Sequence, residues 1–298
     1  MKTMTPFARH LMSTTLCCFL LIGMSACTTK ETVTPPSETT TPTSSTANKA
    51  LAAHQLEADS TIEVLNTYPF DEQSFTQGLE MEPDGNLLVA TGQYGESKLY
   101  RRSLENAKVH ESIDLPAELF GEGITQAGDH IWQLTWRAGV AYKRDATSFA
   151  ELDQAHYEGE GWGLCRLANG QLVMSDGTDT LTFRDADSFD ELHRTQVTRN
   201  GASLPKLNEL ECTNEGVYAN VFLSNYIVRI NPDSGEITQV IDASGLPDTA
   251  RARSDRNAVL NGIALIPGSE TEKDGPRFLL SGKRWGALYE VRFVPKAR

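Results

Sequence analysis

Five short elements along the chain bring together residue types that could do chemistry at one place: Gln77-Gly78-Leu79, Glu122-Gly123-Ile124, Trp162-Gly163-Leu164, Asn208-Glu209-Leu210 and Asn261-Gly262-Ile263. Their leading residues are an amide, a carboxylate, an indole and two further amides, where a purely packed position would carry small or aliphatic side chains. Amides can hold a carbonyl or an amine, an indole can wall a pocket, and a carboxylate can move a proton. The familiar catalytic signatures are missing: there is no His-Glu-x-x-His, no Gly-x-Ser-x-Gly and no phosphate loop, and the six histidines are scattered singly. Asp176-Gly177-Thr178-Asp179 reads as a solvated turn rather than a calcium loop. Gly159-Glu160-Gly161-Trp162-Gly163 lacks the spacing and the following helix of a dinucleotide fingerprint. Acid–base work therefore falls to a carboxylate.

The elements recur at intervals of about 40 to 50 residues, and each opens a copy of a longer pattern. A second apolar run follows in every copy: Asn86 to Ala90, His130 to Trp136, Gln171 to Met174, Gly216 to Phe222 and Arg277 to Leu280. A third comes after it: Lys98 to Arg101, Val140 to Lys143, Thr180 to Phe183, Tyr226 to Ile230 and Ala287 to Phe293. Turn sequences such as Arg144-Asp145-Ala146-Thr147, Arg184-Asp185-Ala186-Asp187 and Asn231-Pro232-Asp233-Ser234-Gly235 separate the copies. Short strands in five copies predict an all-β, five-bladed β-propeller. The last copy lacks a fourth strand, and Thr61-Ile62-Glu63-Val64-Leu65 supplies one that would close the ring. With the first run innermost, Gln77, Glu122, Trp162, Asn208 and Asn261 converge at one level of the central channel. All four tryptophans fall within the copies, and the strand-end positions of Trp136, Trp162 and Trp285 place these three on a ligand wall.

Of the 298 residues, 39% are hydrophobic, enough to bury a full core. A net charge of −13 excludes a nucleic-acid binder, which needs a basic face to neutralise phosphates. Lys2 and Arg9 precede an apolar stretch from Leu11 to Gly23 that is too short to span a membrane, and the stretch ends at Met24-Ser25-Ala26-Cys27. Residues 1–26 therefore read as a lipoprotein signal peptide, with Cys27 as the lipidated first residue. Thr28 in place of an aspartate sorts the protein to the outer membrane, facing the periplasm of a bacterial cell envelope, with the lipid anchor as its sole attachment. Residues 27–60 are rich in Thr, Ser and Pro and read as a disordered tether, leaving 61–298 as the propeller domain. That domain carries two cysteines, Cys165 and Cys212, at opposite parity in consecutive copies. Opposite faces of consecutive blades meet in a stacked ring, so the pair is a disulfide candidate.

The motifs Phe75-Thr76-Gln77-Gly78-Leu79, Phe120-Gly121-Glu122-Gly123-Ile124, Leu134-Thr135-Trp136, Gly161-Trp162-Gly163-Leu164, Ser175-Asp176-Gly177, Leu207-Asn208-Glu209-Leu210-Glu211, Ala219-Asn220-Val221-Phe222, Leu260-Asn261-Gly262-Ile263-Ala264 and Ser281-Gly282-Lys283 resemble the plant and bacterial glutaminyl-peptide cyclotransferases. The resemblance runs from about Phe70 to Val294. It implies a five-bladed propeller that converts N-terminal glutamine of peptides or proteins to pyroglutamate and releases ammonia, without the zinc of the animal enzymes. No cofactor is then required, a structural calcium in the channel is left open, and the enzyme is expected to be a monomer. The resemblance makes Glu122 the general acid–base. Phe75, Gln77, Trp136, Trp162, Asn208, Phe222, Lys283 and Trp285 make up the substrate-binding set. Gln77 and Asn208 would hold the substrate amide and the oxyanion, Trp136 and Trp162 would flank the glutamine side chain, and Lys283 would supply positive charge. The chain departs from its relatives at Phe222, where a third tryptophan is common, at Val89 and at Gly286. Without the resemblance, the residues equally fit a non-catalytic propeller that binds peptides or sugars, or a metal-dependent lactonase using Asn208, Asn261 and Glu122.

Overall fold

A computed structural model describes residues 50–297, so the signal peptide, Cys27 and most of the tether lie outside the described residues. The described part is β-rich and propeller-like. One four-stranded antiparallel sheet holds β2 (Thr76–Met81), β3 (Asn86–Thr91), β4 (Lys98–Ser103) and β5 (Val109–Asp114). The next holds β6 (Gly121–Ala127), β7 (His130–Thr135), β8 (Val140–Asp145) and β9 (Glu151–His156). A third holds β10 (Leu164–Arg166), β11 (Leu172–Met174), β12 (Thr180–Arg184) and β13 (Glu191–Gln196). A two-stranded hairpin, β14 (Thr198–Arg199) with β15 (Ala202–Ser203), follows.

The remaining strands form one eight-stranded sheet. It contains β16 (Leu207–Thr213), β17 (Gly216–Val221), β18 (Tyr226–Ile230) and β19 (Ile237–Asp242), then β1 (Ser60–Pro69), β22 (Ala287–Pro295), β21 (Arg277–Gly282) and β20 (Leu260–Leu265). β1 runs antiparallel along the whole of β22 and touches β19 only at Ser60↔Ile241 and Thr61↔Asp242. The sheet is thus two four-stranded halves joined by a brief parallel contact. The first strands neighbour one another in a cycle: β2 contacts β6, β6 contacts β10, β10 contacts β16, β16 contacts β20, and β20 returns to β2.

Apolar clusters fill the space between successive sheets. Val173, Leu181 and Phe183 pack on Leu207, Val217 and Val228, for example, and all six are buried. The turns expected to separate the copies instead join the third and fourth strands of each, β8 to β9, β12 to β13 and β18 to β19, and they share one device, an Asx side chain that accepts the backbone N–H groups two and three residues on. Asp145 Oδ1 takes those of Thr147 and Ser148 at 3.1 and 2.8 Å, Asp185 Oδ1 those of Asp187 and Ser188 at 3.0 and 2.9 Å, and Asn231 Oδ1 those of Asp233 and Ser234, each at 3.0 Å.

The expected tether boundary is corrected. Ordered packing begins before residue 61: Leu51 N donates to Ser203 O at 2.7 Å, and Leu56 is buried in the cluster that holds Val197, Leu204 and Leu207. Ala50 to Leu56 breaks the Thr/Ser/Pro composition with apolar residues, and these have a surface to cover.

Cys165 on β10 and Cys212 on β16 are joined by a disulfide, with Cα atoms 5.4 Å apart and a sequence separation of 47. Cross-linking over that separation restricts the unfolded chain, so Cys212→Ser should lower the unfolding free energy by about 2–4 kcal/mol. Denaturant unfolding checks this, and equal masses of the intact protein alkylated with and without reduction would show that no bridge forms.

Candidate active site

A β-bulge recurs where the leading residues sit. The pairing register slips between Thr76 and Gly78, Gly121 and Ile124, Leu207 and Leu210, and Leu260 and Ile263. Gln77, Glu122, Asn208 and Asn261 therefore stand outside the ladder, where a bulge can re-aim a side chain. In the third copy Trp162 and Gly163 precede β10 and are held by backbone bonds to Ser175, both at 3.0 Å.

Glycine follows the leading residue because the strands approach closely there. A Cβ on Gly123 would lie 2.6 Å from the Trp162 carbonyl oxygen, and one on Gly163 would collide with the carbonyl of Asn208. The fourth copy has Glu209 instead. Its carboxylate reaches across the channel to accept Leu79 N at 3.3 Å and Ile263 N at 2.7 Å, so one side chain ties three first strands together. Burial pushes the Glu209 carboxyl well above its ordinary range.

The ring residues meet. Asn261 Nδ2 donates to Gln77 Oε1 at 3.2 Å and to Thr76 O at 3.0 Å, and Gln77 Nε2 donates to Glu122 Oε1 at 3.0 Å. This chain fixes the orientation of both amides: each presents its nitrogen to the next acceptor. Asn208 Nδ2 and Asn220 Nδ2 are buried donors without a hydrogen-bond partner among the described residues, although Asn220 Oδ1 accepts Gly262 N at 2.9 Å. Buried donors left open cost free energy unless a ligand completes them.

Glu122 is 4% exposed, and burial raises its carboxyl well above the ordinary value, against the pull of Lys283 and with a further push from Glu160. Burial lowers the Lys283 amine to about 8, while Glu122 acts the other way. Its Nζ sits 4.9 Å from the Phe75 ring centre and 5.0 Å from that of Phe222, a cation between two aromatic faces. The backbone turns through left-handed φ of 60° at Leu223 and 59° at Arg284, directly after Phe222 and Lys283.

The aromatic wall is continuous. Phe120 contacts Phe75 at 6.0 Å, Trp136 at 5.4 Å and Tyr94 at 5.5 Å between ring centres, and Trp162 meets Phe222 edge-on at 5.2 Å. Phe75, Trp136, Trp162, Phe222 and Lys283 are therefore linked by direct contacts or through Phe120 and Glu160, and the Gln77–Glu122 pair is coupled to them by the charge interaction of Glu122 with Lys283. Asn208 joins them through Ser175, whose hydroxyl donates to Asn208 O at 2.7 Å and accepts Gly163 N at 2.8 Å.

Trp285 does not belong to this wall. It is fully buried among Leu260, Ile263 and Phe278, donates to Ala258 O at 3.3 Å, and packs against Gly282, so its expected place beside a ligand is corrected to the core. The strand-end signal failed because Trp285 lies two residues beyond Lys283, past the turn at Arg284.

Two contributors escaped the sequence reading. Phe120, two residues before Glu122, joins Phe75, Tyr94 and Trp136 into one aromatic surface. Glu160 accepts the indole N–H of Trp136 at 2.7 Å and that of Trp162 at 3.0 Å on the same oxygen. Its position two residues before Trp162 in a glycine-rich run was the available signal. Among the described residues, no group of three or more His, Cys, Asp or Glu side chains is arranged to hold a metal ion.

Comparison with known proteins agrees with this geometry. The family model for glutamine cyclotransferases matches residues 37–293. The chain is 33% identical over 233 residues to the glutaminyl-peptide cyclotransferase of Arabidopsis thaliana, covering 78% of this chain and 71% of that protein. It is similar to the crystal structure of Myxococcus xanthus glutaminyl cyclase, with a TM-score of 0.72, 35% identity, and coverage of 81% of this chain and 100% of that one. The family match contains every motif that builds the site, and the chain belongs to the glutamine cyclotransferase family.

Proposed function

We propose that this protein converts the N-terminal glutamine of peptides or proteins to pyroglutamate, with Glu122 as general acid–base. The observation that carries the reading is a buried carboxylate held by Gln77 Nε2 at 3.0 Å and raised well above its ordinary range by burial. Such a group can take up a proton and return it within one reaction cycle. The substrate's α-amine attacks its own γ-carboxamide carbon, forming the ring C–N bond. Glu122 accepts the amine proton and delivers it to the departing nitrogen, so the C–N bond of the carboxamide breaks to give ammonia. Open donors at Asn208 and Asn220 suit the oxyanion of the tetrahedral intermediate, and Trp136 and Trp162 wall the glutamine side chain.

This chemistry needs no metal ion. Purified protein should release ammonia from a glutaminyl dipeptide in excess chelator. A metal-dependent hydrolase or a binding module would release none, and that outcome would overturn the reading.

The cyclic contacts of the first strands and the long pairing of β1 with β22 support five blades closed by the N-terminal strand. The protein acts as a monomer, anchored by lipid at Cys27 to the outer membrane and facing the periplasm. Cys27→Ser should move it from the membrane fraction to the soluble fraction or block its processing; unchanged fractionation and mass would sink the anchor.

A further inference from the structure

We propose that Glu160 is a positioning residue of the cyclase site, one carboxylate that clamps both indoles and so sets the gap in which the substrate's glutamine side chain is held. The inference rests on Trp136 and Trp162 being the walls of that pocket. Glu160 Oε2 accepts both indole N–H groups, while Oε1 accepts Arg137 Nε at 2.9 Å. The Arg137 guanidinium lies 3.8 Å from the centre of the Trp136 ring, so it covers that indole as well as pairing with its anchor.

Hydrogen-bond satisfaction alone does not demand this arrangement. Trp136, Trp162 and Glu160 are all half-buried, and water could serve each N–H. What the shared oxygen adds is a fixed relation between two rings carried on different sheets. The segment that bears it is itself pinned. Gly161 N donates to Trp136 O at 2.9 Å, and the Tyr157 hydroxyl donates to Thr135 O and accepts Thr135 N at 3.1 Å. The carboxylate is therefore delivered to the end of β7 by the backbone and not by a mobile loop.

Glu160 also carries charge to the site. Burial opposes its ionisation, but the hydrogen bonds from Trp162, Arg137 and Trp136 outweigh that and hold its carboxyl below the usual range. The resulting anion pushes the Glu122 carboxyl up, Lys283 pulls it down, and Tyr157, itself raised to about 12 by burial, stays neutral. Removing the Glu160 charge should let Glu122 ionise at lower pH and so move the acid limb of kcat/KM to lower pH. The peptide's own amine is the same for every variant and cannot cause the shift.

Glu160→Gln and Glu160→Ala test the clamp. Glu160→Ala should raise KM for a glutaminyl peptide about tenfold with a smaller change in kcat, the signature of lost ground-state positioning. Glu160→Gln should shift the acid limb down. Both should change the tryptophan emission, because Trp132 and Trp285 are bonded to the Ala186 and Ala258 carbonyls and form a constant background. Unchanged emission in folded variants would overturn the proposal. So would changed emission with KM and the acid limb unmoved, which would reduce the clamp to a structural contact. If wild-type protein released no ammonia, the functional reading would fall by itself, and emission would still decide whether Glu160 holds the indoles.

Discussion

Glu122→Gln should release ammonia from a glutaminyl peptide about 10²–10⁴-fold more slowly than wild type, with KM changed by no more than a few-fold. The substitution keeps the size of the side chain and can keep the bond to Gln77, since an amide oxygen can face Gln77 Nε2 as Oε1 does at 3.0 Å. What it removes is a proton acceptor poised by burial. Attack by the α-amine then leaves a proton with nowhere to go inside a water-poor site, and ammonia must leave without one. Because the loss falls on the step and not on binding, kcat and kcat/KM should drop together. Circular dichroism and a melting curve establish that the variant is folded, and turnover near the wild-type rate would end the acid–base assignment.

Much of this site was readable because the repeat imposes geometry on sequence. Once Gln77, Glu122 and Asn261 hold equivalent places in a cyclic array, their convergence follows from symmetry, and the hydrogen-bonded chain through them needs only their side-chain lengths. Parity worked equally well for Cys165 and Cys212, since alternation along a strand is a local rule. Local rules give out where a residue's surroundings come from another copy. Trp285 and Trp136 both follow a second strand, yet the turn at Arg284 sends Trp285 back into the core. Glu160 carries no period at all, and its meaning lies in two indoles brought together by different sheets.

The outermost strands were hard to read for a related reason. β5, β9 and β13 are almost entirely exposed, so they lack the apolar alternation that marks the inner strands, and they are held chiefly by pairing with β4, β8 and β12. Glu209 shows the opposite case. Its carboxylate takes the place of a hydrogen lost from the glycine pattern and recruits two backbone N–H groups that no sheet partner reaches. A residue that breaks a repeat can thus be its strongest tie, and no spacing rule marks it in advance.

Lys283→Met should lower kcat about 10²–10³-fold and distort the pH profile at both ends, because the ammonium is the cation set beside Glu122. Methionine keeps most of the apolar stem between Phe75 and Phe222, so the cavity stays filled while the charge and its attraction to both rings are lost. Lys283 lowers the Glu122 carboxyl against the effect of burial, and without it that carboxyl rises further. A group whose ionised form must accept the proton then becomes competent only at higher pH, so the acid limb of kcat/KM should move up. This is opposite in sign to the shift expected for Glu160→Gln, and the pair together reads the field at one atom. The alkaline side gives a second test. Lys283 loses its proton at about 8, so wild-type activity should fall as pH rises through that value, and the variant should lack this limb. A profile with the acid limb unshifted and the alkaline limb intact would show that the Lys283 charge plays no part in the reaction.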